Sequence, residues 1–252
     1  MTIIESFITK NSNYINRRPL RVKGLMLHSV GVPQPDPRIF FNNFNQLKPG
    51  GREVGVHAFL GQDGTVLHTM PWESKAWHCG QGPKGSANDT HIGIEMTEPA
   101  SIKYEGGVKD LDPAKTKAFI QNTYNVAKEL FAKLCKDFGL NPLEDGVILS
   151  HSEGHTRGIA SNHSDVEHLW RLHGLSMNQF RTDVKTAMTP SPPAPAPETH
   201  QSVKFDLLGK KTDILGKIID GRTYAQVREL LTEMGYDVSW DEASKTVVVR
   251  RP

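Results

Sequence analysis

A proline-rich stretch near residue 190 is the feature that most constrains the fold of this chain. Residues 189–202 read TPSPPAPAPETHQS, and alternating proline and alanine favour an extended polyproline II spacer over a helix or a sheet. The stretch therefore predicts a linker between two units, residues 1–188 and residues 203–252. The second unit has about fifty residues, which bury little surface alone, so it is expected to rely on a partner or on self-association.

Strand and helix signals are mixed in the first unit. Residues 57–70, HAFLGQDGTVLHTM, predict a hairpin that turns at Asp63–Gly64. Residues 112–139 predict a long amphipathic helix with Asp112 as its N-cap and Pro113 at its first position. Further strands are expected over 21–31, 91–97 and 146–151, and shorter helices over 166–173 and 176–188.

These elements predict an α/β domain in which a central mixed β-sheet is flanked by helices. The second unit is expected to be a small α+β domain. It is predicted to contain strands, one helix at about 223–234, and two final strands that turn at residues 241–245, DEASK.

Composition excludes several classes of protein. The 30 basic and 28 acidic residues leave a net charge of +2, which indicates neither nucleic acid nor an anionic membrane as the main partner. No run of 18 apolar residues is present, so no membrane insertion is expected. The two cysteines, Cys79 and Cys135, are too few for a disulfide framework and are expected to be small buried apolar residues.

The first twenty residues lack the basic and apolar regions of a signal peptide. We therefore expect synthesis in the cytoplasm and export, if any, by another route.

The chain has 11 histidines, three of them within residues 150–165, SHSEGHTRGIASNHSD. A catalytic zinc ion needs three protein ligands and one open position. His28 and His151 each lie at the end of a predicted strand, and strand ends of an open sheet face one crevice. These two histidines are thus expected to meet. The third ligand is His155, His163 or Asp165, and spacing alone does not choose among them.

Glu95 lies in the predicted strand HIGIEMT. Ile92, Ile94 and Met96 make one face of this strand apolar, so Glu95 is expected on the opposite face with Gly93. Two residues of the segment AWHCG, Trp77 and His78, are candidates for contact with substrate.

Residues 20–170 resemble the zinc-dependent N-acetylmuramoyl-L-alanine amidases of type 2, whose fold is shared with peptidoglycan recognition proteins. The resemblance rests on LMLHSVG, VHAFLGQDGTV, AWHCG, THIGIEM and SHSEG…HSDVEHLW. It implies Zn²⁺ held by His28, His151 and Asp165, with Glu95 as general base. It also implies that His163, where the family usually has a Lys, stabilises the oxyanion. Val166 follows Asp165 where a proline is usual.

The expected function is hydrolysis of the amide bond between N-acetylmuramic acid and L-alanine in bacterial peptidoglycan. The alternatives are a non-catalytic peptidoglycan-binding protein of the same fold or a bacterial autolysin. A metallopeptidase is disfavoured because the chain lacks an HExxH helix.

The C-terminal unit resembles the stalk domain found at the N-terminus of some copper amine oxidases. The resemblance implies attachment to the cell wall or homo-oligomerisation, and not copper binding. A hydrolase joined to such a unit by a spacer is typical of a phage or prophage endolysin, which is made in the cytoplasm and reaches the wall through a holin pore.

Overall fold

A computed structural model describes residues 1–189, 201–207, 210–219, 222–242 and 246–251. The chain divides into two compact units, residues 1–189 and residues 190–252. Most of the predicted linker, residues 190–200, and part of the predicted turn, residues 243–245, lie outside the described residues. Within the described part of the chain, no helix has the length and apolar character needed to cross a bilayer.

The first unit is built on a six-stranded mixed sheet. Its strands run in the order β1, β4, β3, β5, β2, β8, and all neighbouring pairs are parallel except the β3–β4 hairpin. A separate two-stranded hairpin is formed by β6 and β7. The strands are β1 Thr2–Glu5, β2 Gly24–Ser29, β3 Ala58–Leu60, β4 Thr65–His68, β5 His91–Met96, β6 Ile102–Tyr104, β7 Val108–Asp110 and β8 Ile148–Ser150.

Helices lie between and after these strands. They are α1 Ser12–Ile15, α2 Pro37–Phe44, α3 Pro113–Asp137, α4 His151–Thr156, α5 Glu167–Trp170 and α6 Met177–Met188. The α3 helix begins as predicted, because the Asp112 side chain accepts a hydrogen bond from the backbone N–H of Lys115 and Pro113 follows it. It ends before Gly139, whose φ of 63° suits glycine.

Alternation along β2 separates the hydrophobic core from the site. Leu25 and Leu27 belong to the main core together with buried residues of α3, whereas Met26 packs in a smaller cluster on the other face of the sheet. The next residue on that second face is His28. The hydrophobic core thus holds one face of β2, and the opposite face presents His28.

The same alternation holds in β5. Ile92, Ile94 and Met96 are buried in the main core, and Glu95 pairs in register with His28 on the neighbouring strand. Glu95 therefore lies on the face of the sheet that carries His28, as the sequence predicts.

The predicted fold class is confirmed, and the differences concern short elements. The sequence interpretation did not include β1, α1, α2, α4 or the β6–β7 hairpin, and the strand predicted over 146–151 ends at Ser150, so that His151 begins α4. All four residues of β1 are exposed at the edge of the sheet, so burial imposes no pattern on them. The predicted helix over 166–173 is α5 followed by one 3₁₀ turn at Arg171–His173.

The second unit contains a three-stranded antiparallel sheet, one helix and a two-stranded hairpin. Its elements are β9 Gln201–Leu207, β10 Lys210–Ile219, β11 Arg222–Ala225, α7 Val227–Glu233, β12 Asp237–Asp241 and β13 Thr246–Arg250. This is the predicted α+β composition.

The structure predicts that acid weakens the first unit through His57. This side chain is 0% exposed; its Nε2–H donates to the Ser74 carbonyl oxygen at 2.8 Å, and its Nδ1 accepts from the Gly93 N–H at 3.0 Å. Burial lowers the pKa of His57 to about 4. Since an unfolded histidine titrates near pH 6.5, the unfolded state binds more protons between these values, and stability falls as pH drops from about 6.5 to about 4.

The loss of unfolding free energy attributable to His57 over this pH range is on the order of 3 kcal/mol. Chemical denaturation at pH 7, 5 and 4 measures it. The His57→Gln variant should show a flatter pH dependence than the parent chain, and His155→Gln, at an exposed position, should not. Equal pH slopes for the parent and His57→Gln would contradict the assignment.

Candidate metal centre

A polar cleft of about 610 Å³ opens where β2 and β5 end and where the chain leaves β8. Imidazole and carboxylate groups dominate it. The lining residues are His28, Ser29, Val30, Gly31, His78, Glu95, Tyr104, His151, Asn162, His163, Ser164, Asp165 and His168.

Three buried side chains converge at the base of the cleft. The Nδ1 atoms of His28 and His151 are 3.0 Å apart, and Oδ2 of Asp165 lies 3.2 Å from the first and 3.6 Å from the second. These three residues form a group able to hold a metal ion. His28 at the end of β2 and His151 just after β8 therefore lie together, and Asp165 is the third member of the group.

A backbone carbonyl fixes the tautomer of His28. Nε2 of His78 lies 3.1 Å from the carbonyl oxygen of His91, and an oxygen that only accepts requires an N–H at this Nε2. Burial lowers the pKa of His78 well below its usual value, so the ring is neutral and its Nδ1 accepts. The Nδ1 of His78 lies 2.9 Å from the Nε2 of His28. The Nε2–H of His28 is therefore the donor of this hydrogen bond. The Nδ1 of neutral His28 is left with a bare lone pair.

A second carbonyl has the same effect on His151. The Ser161 hydroxyl donates to the carbonyl oxygen of Cys79 at 3.1 Å, and it lies 3.2 Å from Nε2 of His151. Because the single hydroxyl proton is used on Cys79, Nε2 of a neutral His151 donates to Ser161. Its Nδ1 therefore also presents a lone pair to the centre.

Two lone pairs and one carboxylate oxygen thus face one another with no hydrogen between them. Such an arrangement repels itself unless a cation occupies the middle. Ligand atoms at tetrahedral zinc, with bonds of about 2.0–2.1 Å, lie about 3.3 Å apart. The observed separations of 3.0, 3.2 and 3.6 Å match that spacing. The donor set fits zinc.

His151 is held by the first turn of α4. The Ser150 hydroxyl accepts from the Glu153 N–H, and a Glu153 carboxylate oxygen accepts from the Ser150 N–H, both at 3.1 Å. This capping box starts the helix at His151. The Asp165 carbonyl oxygen accepts from the Ser152 N–H at 3.1 Å, which ties the third ligand to the same turn.

Gly93 makes room for His78. A Cβ at position 93 would lie 2.3 Å from the His78 ring, closer than carbon atoms approach. The ring therefore packs against bare backbone of β5, and this contact sets the position from which His78 reaches His28.

Glu95 is the strand residue that pairs in register with His28. It lines the cleft beside His28, and its Oε2 is buried without a hydrogen-bond partner among the described residues. Burial, with the nearby charges of Asp165 and Glu98, raises the pKa of Glu95 well above its usual value. A carboxyl with a raised pKa is suited to accept and return a proton near neutral pH.

His163 stands at the mouth of the cleft. Its ring stacks on His151 with centroids 4.5 Å apart, and its Nδ1 lies 3.8 Å from Oδ1 of Asp165. The side chain is 61% exposed. His163 therefore stacks on His151 and is not one of the three converging residues. His155, the other alternative, directs Nδ1 toward the Ala160 carbonyl oxygen at 3.4 Å, outside the cleft lining.

The two predicted substrate-contacting residues differ in position. His78 lines the cleft, but both of its ring nitrogens are engaged by His28 and His91. Trp77 is 38% exposed, and it does not belong to the described lining of this cleft. Contact between either residue and substrate stays a prediction.

The sequence interpretation missed Tyr104 and His168, which line the cleft, and Glu98, a buried residue that contacts both of them. The Glu98 carboxylate is buried in contact with Ser29, Gly31 and Tyr104. Glu98 follows β5 by two residues, and a second acidic residue so close to Glu95 was the available signal. Tyr104 and His168 lie in short elements that carry no comparable pattern.

Family models match both units. The model described as N-acetylmuramoyl-L-alanine amidase matches residues 18–167. The model described as copper amine oxidase N-terminal domain matches residues 208–252.

Individual proteins resemble the first unit more distantly. The 1,6-anhydro-N-acetylmuramyl-L-alanine amidase AmpD of Escherichia coli K12 is 28% identical over 105 residues, which are 40% of this chain and 54% of that protein. The AmpD protein of Salmonella typhimurium LT2 is 30% identical over 79 residues, 30% of this chain and 39% of that protein. The chain thus spans about half or less of the curated relatives it matches.

Two solved structures share the fold. Staphylococcus aureus hydrolase AmiA in complex with its ligand aligns with a TM-score of 0.54 at 18% identity, over 75% of this chain and 83% of that one. PlyL aligns with a TM-score of 0.53 at 16% identity, over 74% of this chain and 99% of that one.

The hydrogen-bond chain through His78 predicts that this residue strengthens metal binding without touching the metal. The His78→Ala variant removes the acceptor of the His28 Nε2–H, so the ring loses its fixed orientation. Zinc affinity, measured by competition with a chelator, should fall about 10- to 100-fold. His155→Ala is the matched control and should leave the affinity unchanged. An unaltered affinity in His78→Ala would refute this role.

Proposed function

Because the chain belongs to the N-acetylmuramoyl-L-alanine amidase family, we propose that it hydrolyses the amide bond between N-acetylmuramic acid and L-alanine in peptidoglycan. The single observation that carries this proposal is the convergence of the bare Nδ1 atoms of His28 and His151 with Oδ2 of Asp165, within 3.6 Å of one another. Amide hydrolysis needs a strong electrophile and a proton carrier side by side, and the cleft offers residues for both.

The proposed cofactor is Zn²⁺, held by His28, His151 and Asp165. When bound there, zinc would act as a Lewis acid, lowering the pKa of the attacking water and polarising the lactyl carbonyl. These residues would supply two imidazole nitrogens and one carboxylate oxygen, which are ligand types of catalytic zinc sites.

Glu95 is the proposed general base. Its carboxylate accepts a proton from the attacking water and then delivers that proton to the nitrogen of the leaving L-alanine. The raised pKa of Glu95, caused first by burial and then by Asp165 and Glu98, supports both halves of this transfer.

His163 is the proposed donor to the oxyanion. Burial, together with His151, lowers its pKa, which favours a neutral ring with one N–H. Stacking on His151 holds that ring at the cleft mouth, where the N–H can donate to the carbonyl oxygen as negative charge develops on it.

A binding protein without activity is the main alternative. Such a protein needs neither three converging acceptor atoms nor an unpartnered carboxylate among them. The orphan Oε2 of Glu95 beside the metal ligands costs stability unless it is used. This cost supports the catalytic proposal.

Two muramyl substrates can be compared directly, the polymeric wall and 1,6-anhydro muropeptides. The curated relatives are named for a 1,6-anhydro substrate, whereas the proposal for this chain is polymeric wall. Digests of intact sacculi and of 1,6-anhydro muropeptides, offered at equal concentration, distinguish the two.

Two substitutions test the assigned roles. Glu95→Gln should keep zinc stoichiometry near that of the parent and reduce turnover about 10²- to 10⁴-fold, because the proton carrier is lost. His28→Ala should lose both zinc and turnover, because a ligand is lost. Mass spectrometry of wall digests reports new L-alanine amino termini, and metal analysis reports zinc.

His155→Ala serves as the control and should behave as the parent. New amino groups inside the stem peptide, without free L-alanine termini, would identify a peptidase and overturn the amidase proposal. Full turnover by Glu95→Gln would remove Glu95 from the mechanism.

We further propose that residues 203–252 form a separate module for wall attachment or homo-oligomerisation, joined by the linker at 189–202, and that the chain acts as an endolysin. The match of residues 208–252 to a different family from the first unit supports a modular arrangement. In this proposal the enzyme accumulates in the cytoplasm and acts on the wall after release, as through a holin pore.

Expression inside a bacterial host tests this role. The full chain should lyse cells only after the membrane is permeabilised, and a chain ending at Thr189 should need about tenfold more protein for equal lysis, because the second unit no longer raises the local concentration. Cleavage of soluble muropeptides should be equal for both. Equal potency on cells would deny the second unit a targeting role, and lysis without permeabilisation would favour an exported autolysin.

A further inference from the structure

A buried ionic cluster supports the wall of the cleft at Glu98. This residue is 0% exposed, and its carboxylate accepts from the Ser29 hydroxyl at 2.7 Å, the Gly31 N–H at 3.2 Å and the Tyr104 hydroxyl at 2.7 Å. His168 lies 3.5 Å from the same carboxylate. A buried carboxylate is tolerated only when it is paired and hydrogen-bonded in this way.

Tyr104 is the cluster member that reaches the cleft. Its hydroxyl donates to Oε2 of Glu98 and lies 2.7 Å from Nε2 of His168, from which it accepts. Burial and Glu98 raise the pKa of Tyr104, so the hydroxyl stays protonated and remains a donor. Two short hydrogen bonds to groups on separate elements hold the end of the side chain and therefore fix the orientation of the ring.

The ring itself is available to a ligand. Tyr104 is 40% exposed and lines the cleft. Among the described lining residues, the others are histidine, serine, glycine, asparagine and acidic residues, apart from Val30. Tyr104 is thus a rigid, flat aromatic surface set in an otherwise polar cleft. A pyranose ring has the complementary character, with an apolar C–H face and hydroxyl groups around its edge.

Resting on the proposed function, we propose that Tyr104 binds the muramyl sugar ring against its aromatic face, and that Glu98 and His168 position it for this contact. The cluster also joins the end of β2, at Ser29, and the following Gly31 to the segment that follows Asp165. A sugar on Tyr104 would therefore sit against a wall anchored on both sides of the metal centre.

Affinity for a matched pair of ligands tests the proposal. The ligands are N-acetylmuramoyl-L-alanyl-D-isoglutamine and D-lactoyl-L-alanyl-D-isoglutamine, which differ by the sugar ring. Calorimetry is performed on the full chain carrying Glu95→Gln, which keeps the ligands intact. Adding Tyr104→Ala should weaken binding of the muramyl ligand about tenfold and binding of the lactoyl ligand less than about twofold.

Further variants separate binding from structure. Tyr104→Phe keeps the ring and loses the hydroxyl, so it should weaken the muramyl ligand about two- to threefold, and Glu98→Gln should act in the same selective direction. Tyr104→Leu, which keeps bulk without an aromatic face, replaces Tyr104→Ala if that variant does not fold. Leu111→Ala, an exposed residue next to the same hairpin, is the control and should change neither affinity.

An equal loss of affinity for both ligands would mean that Tyr104 contacts the peptide or only supports the structure, and it would overturn the inference. No loss of affinity for either ligand would overturn it as well. These affinities are independent of turnover. A parent chain that binds both ligands but cleaves neither muropeptides nor sacculi would refute the proposed function alone.

Discussion

The structure depends on hydrogen bonds that turn the Nδ1 lone pairs of His28 and His151 toward the Asp165 carboxylate. Two main-chain carbonyl oxygens, which can only accept hydrogen bonds, determine where the imidazole protons lie. The His91 carbonyl acts on His28 through His78. The Cys79 carbonyl acts on His151 through Ser161. In the arrangement that we propose, a bound cation would offset the mutual repulsion of these groups. A site of this kind is defined before any metal arrives, because the sheet and its neighbouring segments hold the carbonyls in place.

The two faces of the sheet have different functions. One face of β2 and β5 contributes leucine and isoleucine to the main core, and the other face presents His28 and Glu95 in register. Packing energy on one side therefore keeps the reactive side chains of the other side from moving apart. The capping box at Ser150 extends the same rigidity to His151.

Much of this arrangement could be predicted from the sequence. Periodicity alone places Glu95 opposite Ile94, and strand ends predict that His28 and His151 meet. Periodicity does not choose Asp165 over His155 or His163, because that choice depends on the path of the chain after α4. The cluster of Glu98, Tyr104 and His168 escaped prediction for a similar reason: its members come from three short segments that only the tertiary fold brings together.

Gly93 shows how an inert position can govern reactivity. It has no functional group and touches neither a ligand atom nor the cleft, yet the ring of His78 occupies the space where its side chain would be. A mutational scan that scores catalysis would therefore find a hot spot with no chemistry of its own. A side chain at position 93 would displace the His78 ring and so change the tilt of the His28 imidazole, with His28, His151 and Asp165 themselves unchanged.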